Sequence, residues 1–434
     1  NYSAPFWDFQ ARNAYIMRQG KSAIDLCVYL GGNAPVKIQT YKLPDIPGGY
    51  DFDAFTTDAL LTRMDARAGK ITLPDGVSYK MMILPRNGDI TLDALRKIAS
   101  MVKDGAKIYG PKPMHSDSGK ELDEEAEYQV LANELWGEIP SSSGVKNVGK
   151  GYVYWGMPLA KAMREAQIVP DIRMEKGDTK ASMIYFTHRE LADANVYFLD
   201  NHKDDPEDNI FTFASRGKYA QLWNTVTGER FSLPILRSDD KSTSVQLCLH
   251  PRESYFIVIT DKEEQLPPVS WFTTKDKAEM IEGSWQVYFD EKFGGPGNVT
   301  FDSLSDWTEN SDPRIKYYSG TAIYKKKIEL QATDDRVYID LGNPGFVARV
   351  FVNSQDAGVV WCSPWKLEIT PYLIDGENNI EIHVANSLMN RMIYDASLKE
   401  SERITYSYPQ IATPNDRLEP SGLRQVKLIW KHDN

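Results

Sequence analysis

YKMMILPRNGDITLDALRKIASMVKDGAKIY, residues 79–109, decides the fold class of the first part of the chain. The apolar run Tyr79–Leu84 is too short for a helix and reads as a buried strand. Leu92, Leu95, Ile98, Ala99 and Val102 then recur at helical spacing, with Thr91 placed to cap the start and Gly105 just past the end. Ala106–Tyr109 follows as the next strand. Working outward, Ile24–Leu30 is a short strand stopped by Gly31-Gly32, 55–64 is helical, Glu124–Trp136 is helical and Tyr152–Trp155 is a strand. Such alternation predicts an open, mainly parallel α/β sheet over 21–180.

After Pro170-Asp171 the helical signal fades. Met183–Thr187, Ala194–Leu199, Ile210–Ala214, Val245–Leu249 and Tyr255–Ile259 read as short strands of a small antiparallel β-sandwich domain, 181–265. Glu263–Pro268 is charged, carries two prolines and reads as a linker. Over 280–434, Val337, Ile339 and Leu341 alternate with polar neighbours, as do Ile380, Ile382 and Val384. Strands with one apolar and one wet face predict a jelly-roll β-sandwich. Residues 5–20 read as a lone helix, with Pro5 at its start and Gly20 at its end. The fold class is thus multidomain, α/β plus all-β.

Lys and Arg number 50 against 61 Asp and Glu, a net charge of −11, so the electrostatic footprint of a nucleic-acid binder is missing. The 10 Trp, 23 Tyr and 16 Phe suit β-sheet cores, and also a protein that packs sugar C–H faces on rings. Cys27, Cys248 and Cys362 lie far apart without a CxxC pair, so neither a disulfide framework nor a zinc ribbon is indicated. No stretch reaches the apolar length of a membrane span. The chain opens on Asn1 rather than Met, which leads us to expect a removed leader or a larger N-terminal part.

Gly144–Gly151 (GVKNVGKG) matches most of a P-loop, but Gly151 stands where Ser or Thr should reach Mg²⁺, and a strand follows where a helix should begin. Neither GxSxG nor HExxH occurs. His188 beside Arg189 reads as structural. Asp200–Asn209 is rich in carboxylates, yet His202 and Asp205 break the EF-hand pattern and favour a solvated hairpin loop. In GGYDFDAF (48–55), an extended backbone puts Asp51 and Asp53 on one face, either to meet sugar hydroxyls or a cation, or with Asp53 capping the next helix. Trp361 and Trp365 bracket Pro364 on a loop of the sandwich, placed either to stack on a sugar or to pack over the sandwich end. Asn386, Asn390, Arg391 and Asp395 form either part of that carbohydrate site or a loop-fixing network.

Several of these stretches occur together in one family. GGYDFDAF (48–55), LPDGVSYKMMILP (73–85), VGKGYVYWG (148–156), YFTHRELADANVYFLDN (185–201), IKYYSGTAIYKK (315–326), WCSPWKLEIT (361–370), GENNIEIHVANSLMNRMIYD (376–395) and LEPSGLRQVKL (418–428) come in the order of glycoside hydrolase family 106. The chain therefore resembles the C-terminal part of an α-L-rhamnosidase. Its sandwich motifs also resemble the galactose-binding-like, sugar-binding domains of family 2 glycosidases. The resemblance implies inverting hydrolysis, calcium, and a catalytic (β/α)₈ barrel upstream, of which 1–20 resembles only the last helix. No catalytic residue is carried over to this chain. The α/β segment resembles a glutamine-amidotransferase-like domain, but Gly110-Pro111 follows the strand where a nucleophilic Cys would stand.

Three readings follow. In one, the chain is a non-catalytic portion of a rhamnosidase acting on rhamnose-containing plant or microbial glycans, partnered by the upstream barrel. In another, it is a stand-alone carbohydrate-binding or accessory protein. A third is a structural module for another polypeptide. Either of the first two implies a secreted or periplasmic location.

Overall fold

The computed structural model describes residues 2–32, 45–86, 88–113, 122–139, 141–272, 276–331, 333–407 and 411–431. Two compact units result. One comprises Asn13–Leu249 with Ser254–Val269, the other Asn1–Arg12, His250–Glu253 and Ser270–Asn434.

The first unit contains a six-stranded sheet in the order Phe52–Phe55, Leu26–Tyr29, Met81–Ile83, Lys107–Tyr109, Gly151–Trp155, Gly144–Val148. The first four pairings are parallel and the last is an antiparallel hairpin. Every residue of Leu26–Tyr29 is buried. Cys27 and Tyr29 face a core with Leu95, Ile98 and Val102 of the helix Leu92–Lys103, while Leu26 and Val28 face Leu159 and Met163 of the helix Leu159–Glu165. Thr91 caps Leu92–Lys103 as the spacing predicts, its Oγ1 accepting from the Ala94 N–H.

One expectation changes here. Tyr79–Leu84 is not one strand: Ser78–Tyr79 pairs in a small three-stranded sheet and Met81–Ile83 in the parallel one. Lys80 marks the break, its N–H donating to the Asp25 carbonyl and its ammonium to the Asp25 carboxylate. The P-loop-like stretch is a hairpin turn. Gly149 has a φ of 61°, and a Cβ there would come within 2.7 Å of the Lys103 backbone.

The same unit holds two further sheets. Six strands, Lys21–Ser22, Ile184–Glu190, Ala194–Asn201, Ser254–Thr260, Tyr219–Asn224 and Arg230–Leu233, form one; Ile172–Met174, Glu207–Phe213, Thr243–Leu249 and Ile235–Ser238 form the other. Tyr197 of the first meets Phe213 of the second, ring centroids 4.6 Å apart. Glu263–Pro268 is not a free tether. Ser232 donates its N–H to the Pro267 carbonyl and accepts from the Val269 N–H, while Glu264 pairs with Arg230. The two prolines cannot donate to a ladder, so this segment straps an edge strand instead of extending the sheet.

In the second unit, Gly297–Phe301, Trp285–Phe289, Thr321–Leu330, Gly376–Ala385, Val347–Val352 and Gln355–Val360 form an antiparallel sheet. Lys277–Met280, Lys427–Lys431, Arg336–Asp340 and Lys366–Glu368 form a second. Their inward rows, including Trp285, Phe289, Tyr324, Ile339, Val350 and Ile382, make one shared core. Trp307 donates its indole N–H to the Tyr324 hydroxyl at 2.6 Å, and the Leu423 N–H reaches the same oxygen at 3.4 Å. These buried polar atoms are thereby paired, whereas the buried Trp285 indole nitrogen has no hydrogen-bond partner among the described residues.

The alternation is testable. Ile382→Ala empties a fully buried site and should cost about 2–5 kcal/mol in urea unfolding, whereas the outward His383→Ala should stay within about 0.5 kcal/mol of wild type.

Candidate functional site

Open parallel sheets bind ligands beyond the C-terminal ends of their strands, where the strand order reverses. Here the reversal lies between Leu26–Tyr29 and Met81–Ile83. Gly32 donates its N–H to the buried Asp89 carboxylate, which occupies the place an anion would need. At the amidotransferase-type position, a Cβ on Gly110 would come within 2.6 Å of the Leu84 side chain. The Gly110 carbonyl accepts from the buried Trp136 indole at 3.1 Å. A nucleophilic side chain has no room there.

The opposite edge of the sheet is richer. Parallel register sets Leu26 against Phe52 and Met81, so the preceding residues Asp25, Asp51 and Lys80 lie side by side. Lys80 Nζ reaches Asp25 Oδ1 at 2.5 Å. Burial pushes the Asp25 carboxyl up to about 6 in spite of Lys80, and burial with neighbouring Asp53, Asp25 and Asp171 takes Asp51 to about 6 as well. Asp171 accepts from the Tyr197 hydroxyl at 3.2 Å and lies 2.9 Å from His188 Nδ1. His188 Nε2 is 3.0 Å from Asn195 Oδ1, so the ring is held on both sides, as a structural histidine.

Asp51 and Asp53 do share a face, for Tyr50, Phe52 and Ala54 pack on the other side of the strand. Asp53 caps nothing. The N-cap of Thr57–Arg63 is Thr56, and Asp53 Oδ2 accepts from the Tyr79 hydroxyl at 2.8 Å. Sequence reasoning singled out Asp51 and Asp53 but missed Asp25, Lys80, Asp171 and Tyr197. The available signal was that each of Asp25, Asp51 and Asp171 directly precedes an apolar strand.

In the second unit, Phe6 and Phe9 meet the Trp361 ring edge-on at centroid distances of 5.4 and 5.3 Å. Trp365 lies against the sandwich core, and its backbone carbonyl accepts from the Leu341 N–H. Trp365 thus packs on the sandwich core and Trp361 on Phe6 and Phe9, each ring partly exposed. Asn386 accepts from the Gly320 N–H and donates to the Tyr318 carbonyl, and Asn390 exchanges hydrogen bonds of 2.7 Å with both backbone groups of Glu419. Arg391 and Asp395 form a buried ion pair at 2.8 Å. Asp395 Oδ2 also accepts from the N–H groups of Ile404 and Thr405 and from the Thr405 hydroxyl. Burial raises the Asp395 carboxyl, but these donors and Arg391 outweigh it and hold it below the usual range. The cluster fastens loops around 404 and 419.

Among the described residues no group of three or more His, Cys, Asp or Glu side chains converges as a metal site. In Asp200–Asn209, Asp200 meets His202, and Glu207 meets Lys203 and Asn209.

Asp395→Ala leaves Arg391 buried without its carboxylate and should cost about 3–5 kcal/mol, with faster proteolysis near 404 as the local readout. Gly110→Ala should cost about 1–3 kcal/mol by overpacking against Leu84, read by urea unfolding.

A glycoside hydrolase 106 family model, described as α-L-rhamnosidase, matches residues 1–234. A rhamnosidase structure from Novosphingobium sp. PP1Y is similar over 98% of this chain and 41% of its own, with 27% identity and a TM-score of 0.79. A Formosa agariphila protein named "Putative beta-glucuronidase" is 28% identical over 285 residues, 65% of this chain and 22% of its own length. The chain thus spans well under two thirds of either protein. A β-glucuronidase from Ruminococcus gnavus aligns over 38% of this chain and 29% of its own at 16% identity and a TM-score of 0.28, too low to assign anything. With more than half of its residues matched by the family model, the chain belongs to the glycoside hydrolase 106 family of α-L-rhamnosidases.

Proposed function

We propose that this chain is a non-catalytic portion of an α-L-rhamnosidase-like glycoside hydrolase, acting on rhamnose-containing plant or microbial glycans. The observation that carries it is the similarity to the Novosphingobium rhamnosidase along 98% of the chain, which covers 41% of that protein. Inverting hydrolysis needs an acid and a base carboxyl roughly 6.5–9.5 Å apart across a sugar cleft. The buried carboxylates described above are instead engaged by Lys80, His188, Tyr197, Tyr79, Arg391 and Thr405. The acid and base then belong to the (β/α)₈ barrel that the family resemblance implies, and the two units of this chain act as its scaffold. The proposal includes a secreted or periplasmic location, where such glycans are met; no described helix is long and apolar enough to cross a membrane.

A second reading, carbohydrate recognition by the sandwich unit, is favoured by a cleft of about 320 Å³ lined by Met392, Asp395, Arg403, Thr405 and Tyr406. Tyr406 is 87% exposed, a ring face available to a sugar.

The purified chain should not turn over an aryl α-L-rhamnoside, with or without calcium. Turnover that disappears on mutating one of its own carboxylates would sink the non-catalytic reading. Titration with rhamnose oligosaccharides, comparing wild type with Tyr406→Ala and Trp361→Ala, checks the second: weakened binding only in Tyr406→Ala supports the cleft.

A further inference from the structure

We propose that Asp25, Asp51 and Asp171 form a proton-operated clasp that holds the parallel sheet to the neighbouring β-strands of the same unit. It is tight when Asp25 or Asp51 holds a proton beside Asp171 and looser when both have released it.

The geometry begins with strand register. Three parallel strands start at one edge, so Asp51, Asp25 and Lys80 stand in a row. Across from them comes Asp171, whose N–H donates to the Gly49 carbonyl at 2.8 Å just ahead of the strand Ile172–Met174. From the six-stranded antiparallel sheet, His188 and Tyr197 reach Asp171. Tyr50 and Tyr79 approach from the α/β side, Tyr79 on Asp53 and Tyr50 donating to the Ile168 carbonyl; Arg164 and Arg173 act on Tyr50. The facing groups are therefore four carboxyls, Asp25, Asp51, Asp53 and Asp171, with Lys80, Arg164 and Arg173 as the cations and His188 hydrogen-bonded to Asp171.

Asp25 and Asp171 are buried, and Asp51 and Asp53 half-buried. The Asp25 side chain is only 4% exposed, and its Oδ2 has no described hydrogen-bond partner while Oδ1 takes Lys80. An unpartnered carboxylate oxygen in such a place is costly, and a proton removes the charge and supplies an O–H donor. The upward shift of both Asp25 and Asp51 to about 6 agrees with this placement. In the unfolded chain an aspartate titrates near 3.8. Between these values the folded chain keeps protons that the unfolded chain has released. The stabilisation is thus fully present below about 3.8 and is lost as pH rises through about 6. Other carboxylates, such as Asp395, are held low and lose stability in the opposite direction, so the clasp must be read locally.

Hydrogen exchange, corrected for intrinsic rates, reads the clasp at the amide of Asp171, which crosses it, and at the amides of Leu26 and Lys80, which donate to the Asp51 and Asp25 carbonyls at the sheet edge. From about pH 5 to about pH 8, their protection should fall by about tenfold or more in wild type. In Asp51→Asn the fall should flatten, and the protection at the higher pH should exceed that of wild type. Equal pH dependence in wild type, Asp51→Asn and Asp25→Asn would overturn the proposal. Should either variant fail to fold, infrared difference spectra of wild type decide: a protonated carboxyl band that vanishes as pH rises through about 6 is expected, and its absence overturns the clasp.

Discussion

The strand Leu26–Tyr29 has no wet face, and much of the first unit follows from that constraint. A strand covered on both sides by helices must place its polar neighbours beyond its ends. Parallel pairing then brings the residue before each strand to the same edge, which is how Asp25, Asp51 and Lys80 become neighbours from positions far apart in sequence. Hydrophobic burial thus concentrates charge at one boundary. The boundary is crossed by backbone hydrogen bonds from Asp171 and Ile172 to the Gly49 carbonyl, so it is stiff as well as charged.

The second unit meets a different constraint. Its antiparallel strands bury one face, and aromatic side chains fill that core. Some of the polar atoms that enter with them are paired, as in Trp307 with Tyr324. The long returning segments lack a ladder of their own, and Asn386, Asn390 and Asp395 supply their hydrogen bonds. These side chains are occupied by the fold. The exposed ring of Tyr406 stands outside that network.

Local patterns were legible wherever a period was strong. Leu92–Lys103 with its Thr91 cap, and the alternating rows around Val337 and Ile380, needed nothing beyond spacing. The shared face of Asp51 and Asp53 also followed from period two. Lys80 was hidden inside an apolar run because only its partner, Asp25, shows why the strand breaks there. Glu263–Pro268 has a linker's composition, yet Ser232 captures it, and nothing local announces that partner.

The sequence by itself therefore determined the element types, the burial faces and the family, since these depend on short periodicities and on ordered motifs. Only the tertiary structure decided what the polar residues do. Trp361 became packing because Phe6 and Phe9 arrive at it from the other end of the chain, and Gly110 became a packing point because Leu84 and Trp136 close around it. The titration of Asp25 and Asp51 belongs to the same class. Their proton affinity is a sum over burial and charges from strands distant in sequence, and such a sum exists only once the chain has folded.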